Sequence, residues 1–284
     1  MRSSNAVMLS VLAVTLGLFV RRPAIADTHT ERQEQPSTEA AASTSDGSAE
    51  DSLPVSTVVQ RVIQLTNRER LKVGLPALKR QKNLQSSASW MAEDMSEKRY
   101  FEHRDSTHRD MPARLSDFKY SGCHALGENI AMGQRTPEEV VDAWMNSPGH
   151  RANILSPHFS EIGVGYIPPS ARNAYGYWVQ DFGSRFDRCP VVFDSDSSRV
   201  RSCHVTLSIH GEDWVEQMRI SNDGTNWTAW EPFRPIRDWS LEDGSGKRTV
   251  YIEIRQASRV ERVQAAVMLE KPGPAQIGPG VQTQ

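Results

Sequence analysis

The sequence predicts an α+β chain, a layered domain with helices first and strands after them, followed by a small all-β sandwich. Three observations lead there. Apolar residues recur at helical spacing from residue 55 to about residue 145. Alternation of apolar and polar residues takes over near residue 162. After Phe182 it returns in several short runs with no helical period, the pattern of a β-sandwich.

The first helix is read from Val55, Val58, Val59, Val62 and Leu65, with Gly74 as its stop. Leu84, Ala88, Met91, Ala92 and Met95 mark a second, running to about Lys98. Asp110 suits the N-cap of a third, with Pro112 in its first turn. Thr136-Pro137-Glu138-Glu139 is a capping box opening a fourth through Val140, Val141, Trp144 and Met145. Ser147-Pro148-Gly149 is expected to end it in a turn. Strands are expected at 162–167 and 177–182. The later runs are Val205-Leu207-Ile209, Met218-Ile220, Val250-Ile252-Ile254 and Val263-Ala265-Val267-Leu269, with Asn222-Asp223-Gly224 as turn chemistry.

The chain ends read differently. Arg2 precedes an apolar run from Val7 to Val20, and Ala24-Ile25-Ala26 has the small-x-small form of a cleavage site. Residues 1–26 are therefore expected to be a signal peptide, too short in its apolar run to span a bilayer comfortably. That places the mature chain outside the cell or in the envelope, with no transmembrane segment. Residues 27–54 are Ser/Thr-rich and mildly acidic, a disordered linker by composition, and 271–284 a disordered tail. The boundaries that follow are 55–184 for the layered domain and 187–270 for the sandwich. A formal net charge of −2 gives no global reason to bind nucleic acid.

The chemistry-bearing segments are Phe101-Glu102-His103, Gly127-Glu128-Asn129-Ile130-Ala131, Ser147 to Leu155 with Gly149-His150-Arg151, and His158 to Tyr166 with Glu161. Two imidazoles and one or two carboxylates converging in a cleft have the chemistry to bind Zn2+ or another divalent cation, with His103 and His150 as ligands. Equally, the histidines could simply hydrogen-bond the carboxylates. No His-Glu-x-x-His pair and no Gly-x-Ser-x-Gly elbow is present, so catalysis is the weaker reading.

Together with Asn67-Arg68-Glu69-Arg70, Gly74-Leu75, Trp144 to Leu155 and Tyr177 to Gly183, these segments make residues 55–183 resemble the CAP superfamily of cysteine-rich secretory, antigen 5 and pathogenesis-related proteins, in its bacterial branch. The resemblance implies a CAP-type α-β-α sandwich with a cleft holding His103 and Glu128. It offers two second imidazoles, His150 from the bacterial pattern and His158 from a stretch similar to the eukaryotic one, where Glu161 replaces Gln. It also implies a small-molecule or lipid ligand. The alternatives are a metal-assisted hydrolase acting outside the cell, and a surface protein whose sandwich binds an extracellular protein or glycan.

Met218 to Gly224 and Trp227 to Trp230 resemble Ig-like or fibronectin-type modules. Trp214, Trp227, Trp230 and Trp239 are expected to fill that module's core, the other option being an exposed glycan platform. In an oxidising compartment Cys123, Cys189 and Cys203 allow one disulfide, either Cys189–Cys203 or Cys123–Cys189.

Overall fold

The computed structural model describes residues 55–186, 188–211 and 214–270. The expectations for the signal peptide, the linker and the tail lie outside the described residues.

Helix α1 (Val55–Lys72) buries Val59, Val62, Ile63 and Thr66 on one stripe and stops before Gly74, whose φ of 78° suits glycine alone without strain. After the two-residue strand β1 (Lys79–Arg80), α2 (Lys82–Lys98) begins on an unusual cap, the Gln81 side chain accepting from the Asn83 and Leu84 amides. Helix α3 (Met111–Asp117) is capped as its sequence suggests, Asp110 accepting from the Ala113 amide.

Strand β2 (Cys123–Met132) escapes the sequence pattern, because Gly127, Glu128 and Asn129 interrupt any apolar alternation. Thr136 caps α4 (Pro137–Asn146) at the Glu139 amide, while the Glu139 carboxylate reaches back to Arg135 rather than to Thr136. Ser147-Pro148-Gly149 ends α4 as expected, but not in a plain turn. It starts a new helix, α5 (Pro148–Ile154), because proline's missing N–H costs nothing in a first turn.

Strands β3 (Glu161–Ile167) and β4 (Tyr177–Arg185) complete a sheet of order β1-β3-β4-β2. Only the β1–β3 pairing is parallel. Successive β4 residues point to opposite faces and divide two cores. Trp178 and Phe182 pack with α1, α4 and α5, whereas Tyr177 and Val179 pack with Ala88, Met91 and Met95 of α2. Fully burying a side chain of that size contributes about 1.5–3 kcal/mol, so both helical layers are held by the one sheet. Trp144 and Trp178 are core residues, as their periodic positions suggest.

The remaining chain is all strand: β5 (Val191–Phe193), β6 (Arg199–Val200), β7 (His204–Ile209), β8 (Gln217–Ser221), β9 (Glu231–Pro232), β10 (Ile236–Ser240), β11 (Gly246–Gln256) and β12 (Arg259–Leu269). They form sheets of order β10-β7-β5 and β6-β12-β11-β8-β9, whose inner residues share one core. Trp214 and Trp239 pack against that core, as expected for a small module. Trp227 and Trp230 do not. They alternate with guanidinium groups in a stack running Arg262, Trp227, Arg219, Trp230, Arg255, each cation 3.9–4.9 Å from a ring centre. Glu253 holds Arg219 and Arg262 in place.

The strands dock on the segment after α1. The Ala77 amide donates to Ser208 Oγ (2.9 Å), His210 Nε2 donates to the Ala77 carbonyl (2.7 Å), and Asp196 pairs with Lys79 (2.8 Å). His210 is buried, and that desolvation, opposed by its hydrogen bond to Ala77 and reinforced by the Arg70 cation, pushes its pKa down to about 4. The unfolded chain, with an imidazole near 6.5, therefore binds the proton more readily, and stability falls as pH drops through 6.5 toward 4. At about 1.4 kcal/mol per pKa unit this removes on the order of 3 kcal/mol. Urea midpoints at pH 7 and pH 4.5 measure it. His210→Gln, which keeps a donor but does not titrate, is expected to lose correspondingly less between the two pH values.

Candidate functional site

His103 lies in the loop after α2, and two buried acids shape that loop. Asp94 accepts from the Ser106 amide and hydroxyl, both at 2.8 Å. Asp105 accepts from Thr107 and Arg109. Burial alone would raise Asp105, but these hydrogen bonds outweigh it and hold its carboxyl below the usual range. The segment from Arg104 to His108 carries no motif of its own. The two acids make it a fixed scaffold.

His103 Nδ1 sits 2.8 Å from Glu128 Oε1, with the imidazole about half exposed (49%) and the carboxylate buried (5%). The other carboxylate oxygen of Glu128 accepts from Arg114 Nη2. Arg114 comes from α3, is fully buried, and also donates from Nε to Ser87 Oγ of α2 at 3.3 Å. Directly across the sheet from Glu128, β4 places Asp181. Among the described residues its buried oxygens have no hydrogen-bond donor of acceptable geometry, and Oδ1 lies 3.9 Å from Arg114 Nη2. Burial first, and then the Glu128 charge, push Asp181 well above the carboxylate range, while Arg114 pulls the other way. Asp181 thus faces a second carboxylate in register across the sheet, and Arg114 is the cation near both.

His150 occupies the first turn of α5. Burial, and secondarily the charge of His103, keep its imidazole below the ordinary range. A chain of amides sets its helix against the sheet. Asn153 donates to Asn129 (2.9 Å), Asn129 to Gln180 (3.1 Å) and to the His150 carbonyl (3.2 Å), and Gln180 to Thr66 (2.8 Å). Asn153 thus ties α5 to β2. Arg151 is exposed, and among the described residues no carboxylate pairs with it.

The structure pairs His103 with Glu128 and sets His150 near enough to His103 for their charges to interact. His158 is exposed in the turn before β3, and its side chain makes no hydrogen bond among the described residues. Glu161 is buried in a separate cluster, accepting from Tyr120 Oη (2.8 Å) and from Arg185. In register it faces Gly183, with β4 between it and β2. Two inter-strand spacings put it about 10 Å from the Glu128 strand. Arg114 and Asp181 were missed. The available signal was a carboxylate at an inward position of a strand otherwise read as apolar.

A resident zinc fits this donor set poorly. Both oxygens of Glu128 are engaged and the Arg114 cation lies beside them, leaving two imidazoles. Among the described residues no group of three or more His, Cys, Asp or Glu is placed to hold a metal. What the geometry supplies is a fixed tautomer. When neutral, His103 donates its Nδ1–H to Glu128 and keeps an Nε2 lone pair on the half-exposed side of the ring.

Comparison with known proteins bears on residues 63–182, which match the model of the cysteine-rich secretory protein family, CAP. The uncharacterized protein YkwD of Bacillus subtilis (strain 168) is 45% identical over 128 residues, 45% of this chain and 48% of that protein. The chain thus spans under half the length of this relative. An extracellular protein containing an SCP domain from Bacillus anthracis str. Ames is 29% identical, covering 46% of this chain and 41% of that one, with a TM-score of 0.42. An outer surface protein from Borrelia burgdorferi is 23% identical over 47% of this chain and 96% of its own, with a TM-score of 0.43. The family match ends at residue 182, so the strands after it stand outside the match. Among the described residues no helix is long and apolar enough to cross a membrane.

Proposed function

We propose, from the premise that residues 63–182 are a CAP domain, that the chain works outside the cell by holding a small or lipidic ligand at the His103 cleft. One observation carries the reading. His103 is half exposed, yet its ring is oriented by a buried Glu128 whose charge Arg114 already balances. Such a group accepts a hydrogen bond from a hydroxyl or protonated headgroup at little reorganisation cost. Phe101, two residues earlier, is an exposed aromatic in the same loop and offers an apolar rim.

The hydrolytic alternative draws less support, because a carboxylate bonded at both oxygens is a poor general base. The extracellular setting rests on the leader-like N-terminus. We read the two C-terminal sheets as an Ig-like or fibronectin-like module and domain 187–270 as its extent. For the cysteines, the β5–β7 register sets Cys189 beside Gly211, eight residues from Cys203. At about 3.3 Å per residue that is roughly 25 Å. Cys123, paired in register with Arg185, is the partner that topology favours for Cys189.

The test titrates the secreted chain with fluorescent oleate and with cholesterol, alongside zinc, for wild type, His103→Ala and Glu128→Gln. The expected outcome is saturable uptake of one lipid, weakened at least tenfold by either substitution, with zinc affinity no better than two exposed imidazoles provide. Absence of uptake for both lipids would overturn the lipidic reading. Tight stoichiometric zinc lost in His103→Ala, His150→Ala would replace it with a metal site.

A further inference from the structure

We infer that this chain pairs with a second copy of itself, edge to edge along β12, joining two five-stranded sheets into one. The pairing lies in the C-terminal strands and is independent of the His103 cleft. In the order β6-β12-β11-β8-β9, β6 covers the outer edge of β12 only at Met268 and Leu269. The β11–β12 hairpin closes on the Gln256–Arg259 pair, with Ala257 and Ser258 as its turn. The closing pair of a two-residue hairpin exchanges hydrogen bonds, and the pattern alternates from there. Odd residues of β12 therefore bond to β11, and even ones aim N–H and C=O outward. The amides of Met268 and Glu270 agree, donating outward to Ser198 (3.0 Å) and Val200 (2.8 Å). Among the described residues, the outward backbone groups of Val260, Arg262, Gln264 and Ala266 meet no partner.

The other edges are protected. Strands β1 and β9 have two residues each, β9 with Pro232, and β5 has three. Strand β10 is short and follows Pro235. Strand β2 is long, but helices reach its edge: Asn153 donates to the Glu128 carbonyl (3.2 Å) and Trp144 to the Ile130 carbonyl (3.3 Å). Short strands, prolines, covering helices and charges are the ordinary guards of an edge. From Arg259 to Leu269 there is no proline, glycine or lysine, and the register with β11 runs without a bulge. The outward charge, Arg262, is turned back over its own sheet. It donates from Nε to Glu253 (3.0 Å) and lies 4.9 Å from the Trp227 ring centre. On the inner face Val263 and Ala265 pack against the core yet stay only half-buried, leaving apolar surface that one more strand would cover.

The symmetry of the open stretch selects its occupant. The stretch is bounded by the Ala257-Ser258 turn and by Met268, where β6 takes over, and Val263 is its midpoint. A two-fold axis at Val263 runs two β12 strands antiparallel. It sets Val260 opposite Ala266, Arg262 opposite Gln264, and Val263 opposite its own copy. All four outward residues then exchange backbone bonds in the isologous contact of a symmetric dimer. Val263 falls at a non-hydrogen-bonded position, where Cα atoms approach to about 4.5 Å and side chains interact most. An axis at Arg262 would oppose two arginines. An axis at Gln264 would need Met268, whose amide Ser198 already holds. A strand of this same sequence thus satisfies the edge in one register with no like charges opposed.

The experiment is sedimentation velocity of the full secreted chain over a concentration series, with amide hydrogen exchange at the lowest and highest concentrations. Gln264 is exposed and its amide is not used by β11, so it carries the variants. Gln264→Pro removes an outward N–H, Gln264→Arg opposes Arg262 of the second copy, and Gln264→Glu faces that arginine with a carboxylate. The expected result is a concentration-dependent dimer with a Kd on the order of 10 μM. The amides of Val260, Arg262, Gln264 and Ala266 slow at least tenfold as it forms. Gln264→Pro abolishes the dimer, Gln264→Arg weakens it at least fivefold, and Gln264→Glu does not weaken it. Circular dichroism confirms that the variants are folded, and if Gln264→Pro is not, the two charge variants carry the test. A monomer at every concentration would overturn the pairing, as would a dimer indifferent to Gln264→Arg or weakened equally by Gln264→Glu. Slow exchange of the four amides in a monomer would assign the edge to another segment of the same chain and overturn it too.

Discussion

Arg114→Met is expected to destabilise the protein by about 3–5 kcal/mol at pH 7, the range seen when one partner of a buried ion pair is removed. Methionine keeps the length of the stem in α3 and deletes only the charged head. Behind it remain Glu128 and Asp181, facing each other in register with no cation between them. Asp181 already sits well above the carboxylate range through burial and the Glu128 charge. Without Arg114, Glu128 loses the cation that its Oε2 is bonded to. A carboxyl whose folded pKa lies above its unfolded value favours the folded state below the unfolded pKa, near 4, and loses that advantage as pH rises. The deficit of Arg114→Met is therefore expected to shrink between pH 7 and pH 5. Asp181→Asn, which replaces an acid already pushed well above the carboxylate range by an uncharged amide of the same shape, is expected to cost little alone. In the double variant it should recover part of the loss, since it removes one of the two stranded acids. Urea unfolding of the three variants at both pH values checks this. A deficit below about 1 kcal/mol, or one equal at the two pH values, would show that the guanidinium balances no buried charge.

The contrast between Glu128 and Arg114 shows how far the sequence reaches. Glu128 is legible because it sits in Gly127-Glu128-Asn129-Ile130-Ala131, one of the segments that carry the resemblance to the CAP superfamily. Arg114 lies in a short helix whose cap and proline explain themselves, and nothing local marks its charge as buried. Asp181 has meaning only through a partner far earlier in the chain, which register alone reveals. The same limit explains His158 and Glu161. Their stretch has the right residue types, yet the strand order seats Glu161 beside Arg185 and leaves β4 between it and β2. In the C-terminal strands, alternation announces β7, β8, β11 and β12, because one face is apolar and the other polar. It cannot say that Trp227 and Trp230 belong to the polar face, since stacking against arginine satisfies an indole as core burial does.

Gly165→Ala is expected to be still more damaging than Arg114→Met, above about 5 kcal/mol, a size reached by few single substitutions. The reason lies in the Gly163-Val164-Gly165 stretch of β3, where both glycines face α2. A Cβ on Gly165 would stand 2.0 Å from the Ala88 carbonyl oxygen and 2.3 Å from its carbon. On Gly163 it would stand 2.2 Å from both the Leu84 carbonyl carbon and the Gln85 amide nitrogen. These atoms are helix backbone, so no rotamer change relieves the overlap, and α2 must move as a body. It resists, because Gln85 bonds the Val164 backbone at both ends of its amide and because Met91 and Met95 are packed beneath. The two glycines are thus the seat of α2, and α2 carries Ser87 and Asp94, which orient Arg114 and the His103 loop. A variant that folds with α2 displaced should for that reason lose cleft ligand binding as well as stability. Gly74→Ala separates sterics from backbone preference. Gly74 has φ 78° but nothing within 4 Å of the added carbon, so only the left-handed penalty of about 1–2 kcal/mol applies. Thermal unfolding of the two variants side by side should give a several-fold larger loss for Gly165→Ala. Equal losses would mean that α2 yields to the methyl group, and that the close approach of helix and strand does not set the geometry of the site.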